Sequence, residues 1–202
     1  GTMFENFHVA SPVCMPNRAS LLTGRYPSLH GLRYNGCALP TNANTFVNVL
    51  ADAGYHTAAI GKSHLQPFTA MAPMGKTAEE IGKMPEAWQI DRVKDYEEEP
   101  ANYMGAARYD IKSPYYGYQH VDLVTSHGDR CGGHYGQWFR ENAPDWKALH
   151  DPKNQLAHDY SCPQAYRTPI SEDLYPTAYI RDRAIDYVCL LYTSDAADDP
   201  AS

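Results

Sequence analysis

Residues 45–61, TFVNVLADAGYHTAAIG, join a helical pattern directly to a strand-like run. Phe46, Val49, Leu50 and Ala53 recur at helical spacing and Gly54 supplies a stop, so a helix over 45–55 is predicted, with Thr45 near its start. HTAAIG (56–61) has no helical period and reads as a buried strand. Upstream, FHVA (7–10) reads as a short strand. Pro16, Ala19, Leu21, Leu22 and Gly24 read as a second helix, with proline in the first turn and glycine at the stop. The order strand, helix, helix, strand with short connections predicts an α/β domain with a mostly parallel sheet flanked by helices.

The rest of the chain is less regular. Residues 26–44 form a Pro/Asn/Gly-rich loop, and DYEEEP (95–100) reads as a solvated acidic face. Residues 175–188 predict a helix with Ile180, Ala184, Tyr187 and Val188 on one side. The small, acidic stretch 189–202 breaks that pattern and resembles translated sequencing-adapter read-through. It is set apart as a non-native tail, leaving 1–188 as the domain.

Composition removes several classes. With 202 residues and 43% hydrophobic content the chain can bury a core, so disorder throughout is excluded. A net charge of −7 argues against nucleic acid as a partner, and no apolar run approaches the length of a membrane span. Cysteines at 14, 37, 131, 162 and 189 are odd in number and contain no C-x-x-C, which suggests neither a disulfide framework nor a zinc ribbon. His127, Asp129, Cys131 and His134 lie close enough to imagine zinc, but Gly132 and Gly133 between them suggest a turn. His120, His150 and His158 have no neighbour at ligand spacing.

The chemistry concentrates in CMPNRASLLTGR, residues 14–25. Cys14 stands just before the helix, where unpaired N–H groups and the positive dipole end favour an anion. Arg18, four residues on, reaches the same side of the first turn, and its planar fork matches sulfate or phosphate oxygens. Two readings stand at this point: a buried cysteine beside a surface arginine, or a cysteine-derived group held against an oxyanion.

The whole string resembles the signature of the type I sulfatases, C-x-P-x-R-x-x-x-L-T-G-R. The likeness continues through YPSLHGLRYNG (26–36) and AGYHTAAIGKSHL (53–65), and weakens toward the helix at 175–188. Ser63 stands where the family has tryptophan. The resemblance implies an alkaline-phosphatase-like fold and hydrolysis of small-molecule or carbohydrate sulfate esters. It implies that a formylglycine-generating enzyme oxidises Cys14, and that the hydrated aldehyde attacks sulfur. It assigns Cys14, Arg18, Lys62 and His64 to catalysis, and Asn35, Lys62 and His64 to the substrate. It also implies calcium or another divalent cation held partly by the modified Cys14. The family's other metal ligands have no counterpart here, so the chain reads as an internal piece, incomplete at both ends and inactive alone. Lys62 and His64, two apart on an extended backbone, are expected on one face. The alternatives are a phosphonate or phosphate ester hydrolase of the same superfamily, or a non-catalytic binding protein on that scaffold.

Overall fold

Helix α1 spans Cys14–Thr23, so Cys14 is its first residue rather than the residue just before it, and Gly24 stops it as expected. Pro16 lies in the first turn, where its missing N–H costs nothing, and the Asn17 N–H closes the turn on the Val13 carbonyl at 3.0 Å. Gly24 adopts φ +66° and returns its N–H to the Ser20 carbonyl, a left-handed stop. The computed structural model describes residues 1–68, 96–162 and 165–197. Its further elements are α2 (Pro27–His30), α3 (Phe46–Asp52), β1 (Ala58–Gly61), β2 (His120–Thr125), α4 (Gly133–Asn142), α5 (Trp146–Leu149) and α6 (Pro176–Ala197).

β1 and β2 pair as a parallel two-stranded sheet. Residues 7–10 form no strand. A strand needs a hydrogen-bonded neighbour, and none pairs with this segment among the described residues; Phe7 and Val9 are exposed there. The loop at 26–44 contains the short helix α2, which starts at a proline and stops at Gly31. The acidic stretch departs from its expected solvated face: Glu97 and Glu98 are buried. Helix α6 runs without interruption through residue 189, the expected start of the tail, to Ala197. No helix among the described residues is long and apolar enough to cross a membrane.

The described residues fall into two compact units. The first holds residues 1–59, 63–102 and 110–121. Met15, Ala19 and Leu22 of α1 are buried in it, as are Leu32, Leu39, Leu65, Tyr115 and Tyr116. Helix α3 forms where expected, with a capping box in which the Thr45 hydroxyl accepts from the Asn48 N–H and the Asn48 side chain from the Thr45 N–H. It does not bury the expected stripe. Phe46, Val49 and Leu50 are exposed, and Val47 is buried instead. The face is chosen by tertiary contacts: Thr45 donates to the Tyr116 carbonyl, and Gly117 presses its backbone against Val47 and Asn48.

Gly117 has φ +93°, and a Cβ there would lie 2.6 Å from the Asn48 nitrogen and 2.9 Å from the Val47 carbonyl carbon. Both obstacles are helical backbone and cannot rotate away. Gly117→Ala is expected to destabilise the protein by about 2–4 kcal/mol, combining left-handed strain with overpacking. Urea denaturation would read this as a lower midpoint at constant slope; an unchanged midpoint would mean that the two segments do not touch.

The second unit holds residues 60–62, 103–109 and 122–202. Val124, Tyr135, Phe139, Ala143 and Tyr179 form its core, with Trp138, Leu174 and Ile180 packed at the edge. Tyr135 stacks on Phe139 and meets Tyr179 edge-on, each at 5.6 Å between centroids. Such pairs contribute about 0.5–1.5 kcal/mol beyond area burial. On α6 the inner face centres on Ala178 and Tyr179; Ile180, Ala184 and Tyr187 are half-buried and Val188 is exposed.

Candidate active site

Cys14 is the first residue of α1, and the residue before it, Val13, has no side chain to cap the helix. The loop after α2 does that work. The Asn35 side-chain oxygen accepts from the Met15 N–H at 3.2 Å and from the Cys14 thiol at 3.3 Å. The next residue, Gly36, sends its N–H to the Met15 sulfur at 3.2 Å. One amide therefore satisfies an orphan donor of the first turn and fixes the half-buried thiol beside the remaining ones. Arg18, also half-buried, follows one turn later.

Beneath α1, His30 is buried. Its Nδ1 accepts from the Leu32 N–H at 3.2 Å, so the ring proton sits on Nε2 and is donated to the Ser20 hydroxyl at 3.0 Å. Burial pushes the His30 pKa below its ordinary value, and the nearby Arg25 charge acts the same way. The unfolded chain thus takes up this proton at higher pH than the folded one. The stability is present above about pH 6.5 and is lost as pH falls through the lower, folded value. Urea midpoints at pH 7.5 and 5 should show a drop that His30→Gln reduces; an equal drop in the variant would place the sensitivity in other groups.

Lys62 directly follows β1, in the second unit. Its ammonium donates to the Ser126 carbonyl at 3.1 Å and to His127 Nε2 at 3.0 Å, two residues that directly follow β2. The carboxyl ends of parallel strands are where α/β sheets present ligand-binding groups. His127 was singled out in the sequence only as an imagined zinc ligand; its contact with Lys62 depends on strand pairing.

His64 belongs to the first unit and is buried. Its ring packs at a tilt against Phe68, 4.1 Å between centroids. The expected extended run through Lys62 and His64 does not form. Gly61 has φ +119° and His64 φ +57°, so strict alternation of faces does not apply. The turn is held by the buried Glu98 carboxylate. Oε2 accepts from the His64 N–H at 3.0 Å, and Oε1 from the Leu65 and Gln66 N–H groups at 2.9 and 3.1 Å. The Tyr115 hydroxyl donates to Oε1 at 2.7 Å. Burial pushes the Glu98 carboxyl above the usual range, against the pull of these four donors.

The imagined zinc ligands have separate tasks. Asp129 accepts from Thr168 and Tyr175, and the Cys131 thiol donates to the Gly128 carbonyl at 3.0 Å. Burial pushes that thiol up to about 11. His134 is a core histidine: Nδ1 accepts from the Leu123 N–H and Nε2 bonds the Tyr109 carbonyl, both at 2.9 Å. Gly132 and Gly133 bridge to Thr125 and Val124, forming the expected turn. Among the described residues no three His, Cys, Asp or Glu side chains cluster as a metal site.

The family model named Sulfatase matches residues 1–158. Arylsulfatase G of Rattus norvegicus is 47% identical over 70 residues, covering 32% of this chain and 13% of that protein. An uncharacterized sulfatase of Escherichia coli (strain K12) is 36% identical over 104 residues, 52% of this chain and 18% of that one. The crystal structure of the phosphonate monoester hydrolase of Agrobacterium radiobacter superposes with a TM-score of 0.50 at 17% identity. It covers 89% of this chain and 29% of its own. That likeness shows a shared fold. The matched segments span less than a third of each of these proteins.

Proposed function

Because the chain belongs to the sulfatase family, we propose that the whole protein hydrolyses sulfate esters, and that Cys14 is the residue converted to formylglycine for the attack on sulfur. The observation that carries this reading is the geometry at the start of α1. The side chain of Cys14 is tied to Asn35 at 3.3 Å on a helix N-terminus, inside the string C-x-P-x-R. A scaffold that only binds has no need of all three signature residues.

The roles are those the family resemblance implies, and each residue's chemistry suits its part. The oxidised side chain at 14 supplies the nucleophilic oxygen. Asn35 holds that side chain and orients the first turn. Arg18 stabilises the negative charge that develops on the attacking oxygen. Lys62 and His64 bind sulfate oxygens and the leaving alcohol. The divalent cation implied by the resemblance would be held partly by the modified Cys14 and would supply charge stabilisation to the attack; among the described residues no three His, Cys, Asp or Glu side chains cluster as a metal site.

The test is to co-express the whole protein with a formylglycine-generating enzyme and to analyse the Cys14 peptide by mass spectrometry. Conversion, together with turnover of an aryl sulfate faster than a matched phosphonate monoester, is the expected result. An unmodified thiol overturns the nucleophile assignment. Preference for the phosphonate ester moves the protein to the alternative hydrolase class.

A further inference from the structure

We propose that Glu98 is a positioning residue for His64, holding it in the conformation in which it meets substrate. The inference rests on the assignment of His64 to substrate made above. It starts from a backbone that is costly by itself. A histidine at φ +57° lies in the left-handed region, where its Cβ crowds the following carbonyl oxygen. Something must hold it there, and the nearest grip is unusual: one fully buried carboxylate accepts three consecutive backbone N–H groups, those of His64, Leu65 and Gln66.

Three successive amides converge on one anion only when the chain curls around it. The carboxylate and the left-handed turn therefore specify each other. The Tyr115 hydroxyl completes the set, and Gln66 ties the same loop to the chain around Glu98 by accepting the Glu97 N–H at 2.7 Å. The Leu39 N–H donates to the Leu65 carbonyl at 2.8 Å, so the loop is anchored on its other edge as well. With the backbone locked, the His64 ring has Phe68 as one wall at 4.1 Å. Glu98 touches no reacting atom in this scheme; it acts through His64.

Glu98→Gln and Glu98→Asp separate acceptor chemistry from packing. Glutamine nearly keeps the shape but offers one oxygen, and turns an NH2 group toward N–H donors. Aspartate is shorter but keeps two acceptor oxygens. In the whole protein Glu98→Gln is expected to lower kcat by about tenfold, the scale of a small misplacement of a catalytic group, with KM changed less. Glu98→Asp should retain more activity than Glu98→Gln. The reverse order would mean that Glu98 fills space, and would overturn the proposal. In a His64→Ala background Glu98→Gln should change kcat by less than about twofold, because the residue it positions is gone. A persistent tenfold loss there also overturns it.

If His64→Ala alone leaves turnover unchanged, the substrate role of His64 is wrong, and the positioning claim is read from hydrogen exchange. The amides of residues 64–66 should then exchange at least about tenfold faster in Glu98→Gln, while those of α1 keep their rates. Unchanged exchange at 64–66 would end the proposal.

Discussion

Cys14→Ala in the whole protein is expected to lower aryl sulfate turnover by at least about 10³-fold, the scale seen when a covalent nucleophile is removed. The fold should hardly notice. Cys14 is half-buried, and its thiol donates to Asn35 at 3.3 Å. A thiol is a weak donor, so its loss costs no more than about 1 kcal/mol. Asn35 keeps the Met15 N–H at 3.2 Å, so the start of α1 stays capped. Activity and stability thus separate in this variant, which makes it informative. The measurements are kcat/KM and a urea midpoint on the same preparation. Normal turnover by the variant would place the nucleophile elsewhere. Cys14→Ser is the poorer test, since some bacterial modifying systems accept serine.

What could be read from the sequence was local. The bounds of α1 and α3 follow from Pro16, Gly24 and Thr45, whose effects reach only a turn or two. The placement of Cys14 and Arg18 at the start of α1 was legible for the same reason, since a proline and a glycine set the helix bounds without a distant partner. What could not be read was set by distant partners. Asn35 caps α1 from twenty-one residues away in sequence. Glu98 reads as one charge in an acidic run, and nothing near it announces that three amides more than thirty residues upstream will surround it. The outward face of α3 has the same origin: Gly117 and Tyr116, some seventy residues downstream, select Val47 rather than Val49 as the buried valine. The strand expected at 7–10 fails on the same principle, because apolar composition alone supplies no pairing partner.

Lys62→Ala and His64→Ala are each expected to lower kcat/KM by at least about tenfold, and by up to about 10²–10³ if they meet developing charge. The two losses should behave differently under conservative change. The Lys62 ammonium is held by the Ser126 carbonyl at 3.1 Å and His127 Nε2 at 3.0 Å, two acceptors arranged around a compact point donor. A guanidinium is planar and bulkier, so Lys62→Arg should recover little of the loss despite keeping the charge. His64 has a backbone constraint as well as an imidazole. Alanine at φ +57° adds strain of its own, whereas asparagine tolerates that region better. His64→Asn therefore keeps the turn and removes only the ring. It should lose about as much activity as His64→Ala while unfolding at higher urea. If His64→Asn restores turnover, the turn and not the imidazole is what the reaction needs. If Lys62→Arg restores it, the lysine supplies only long-range charge. Kinetics at or near the wild-type level in both alanine variants would remove residues 62–64 from the site altogether.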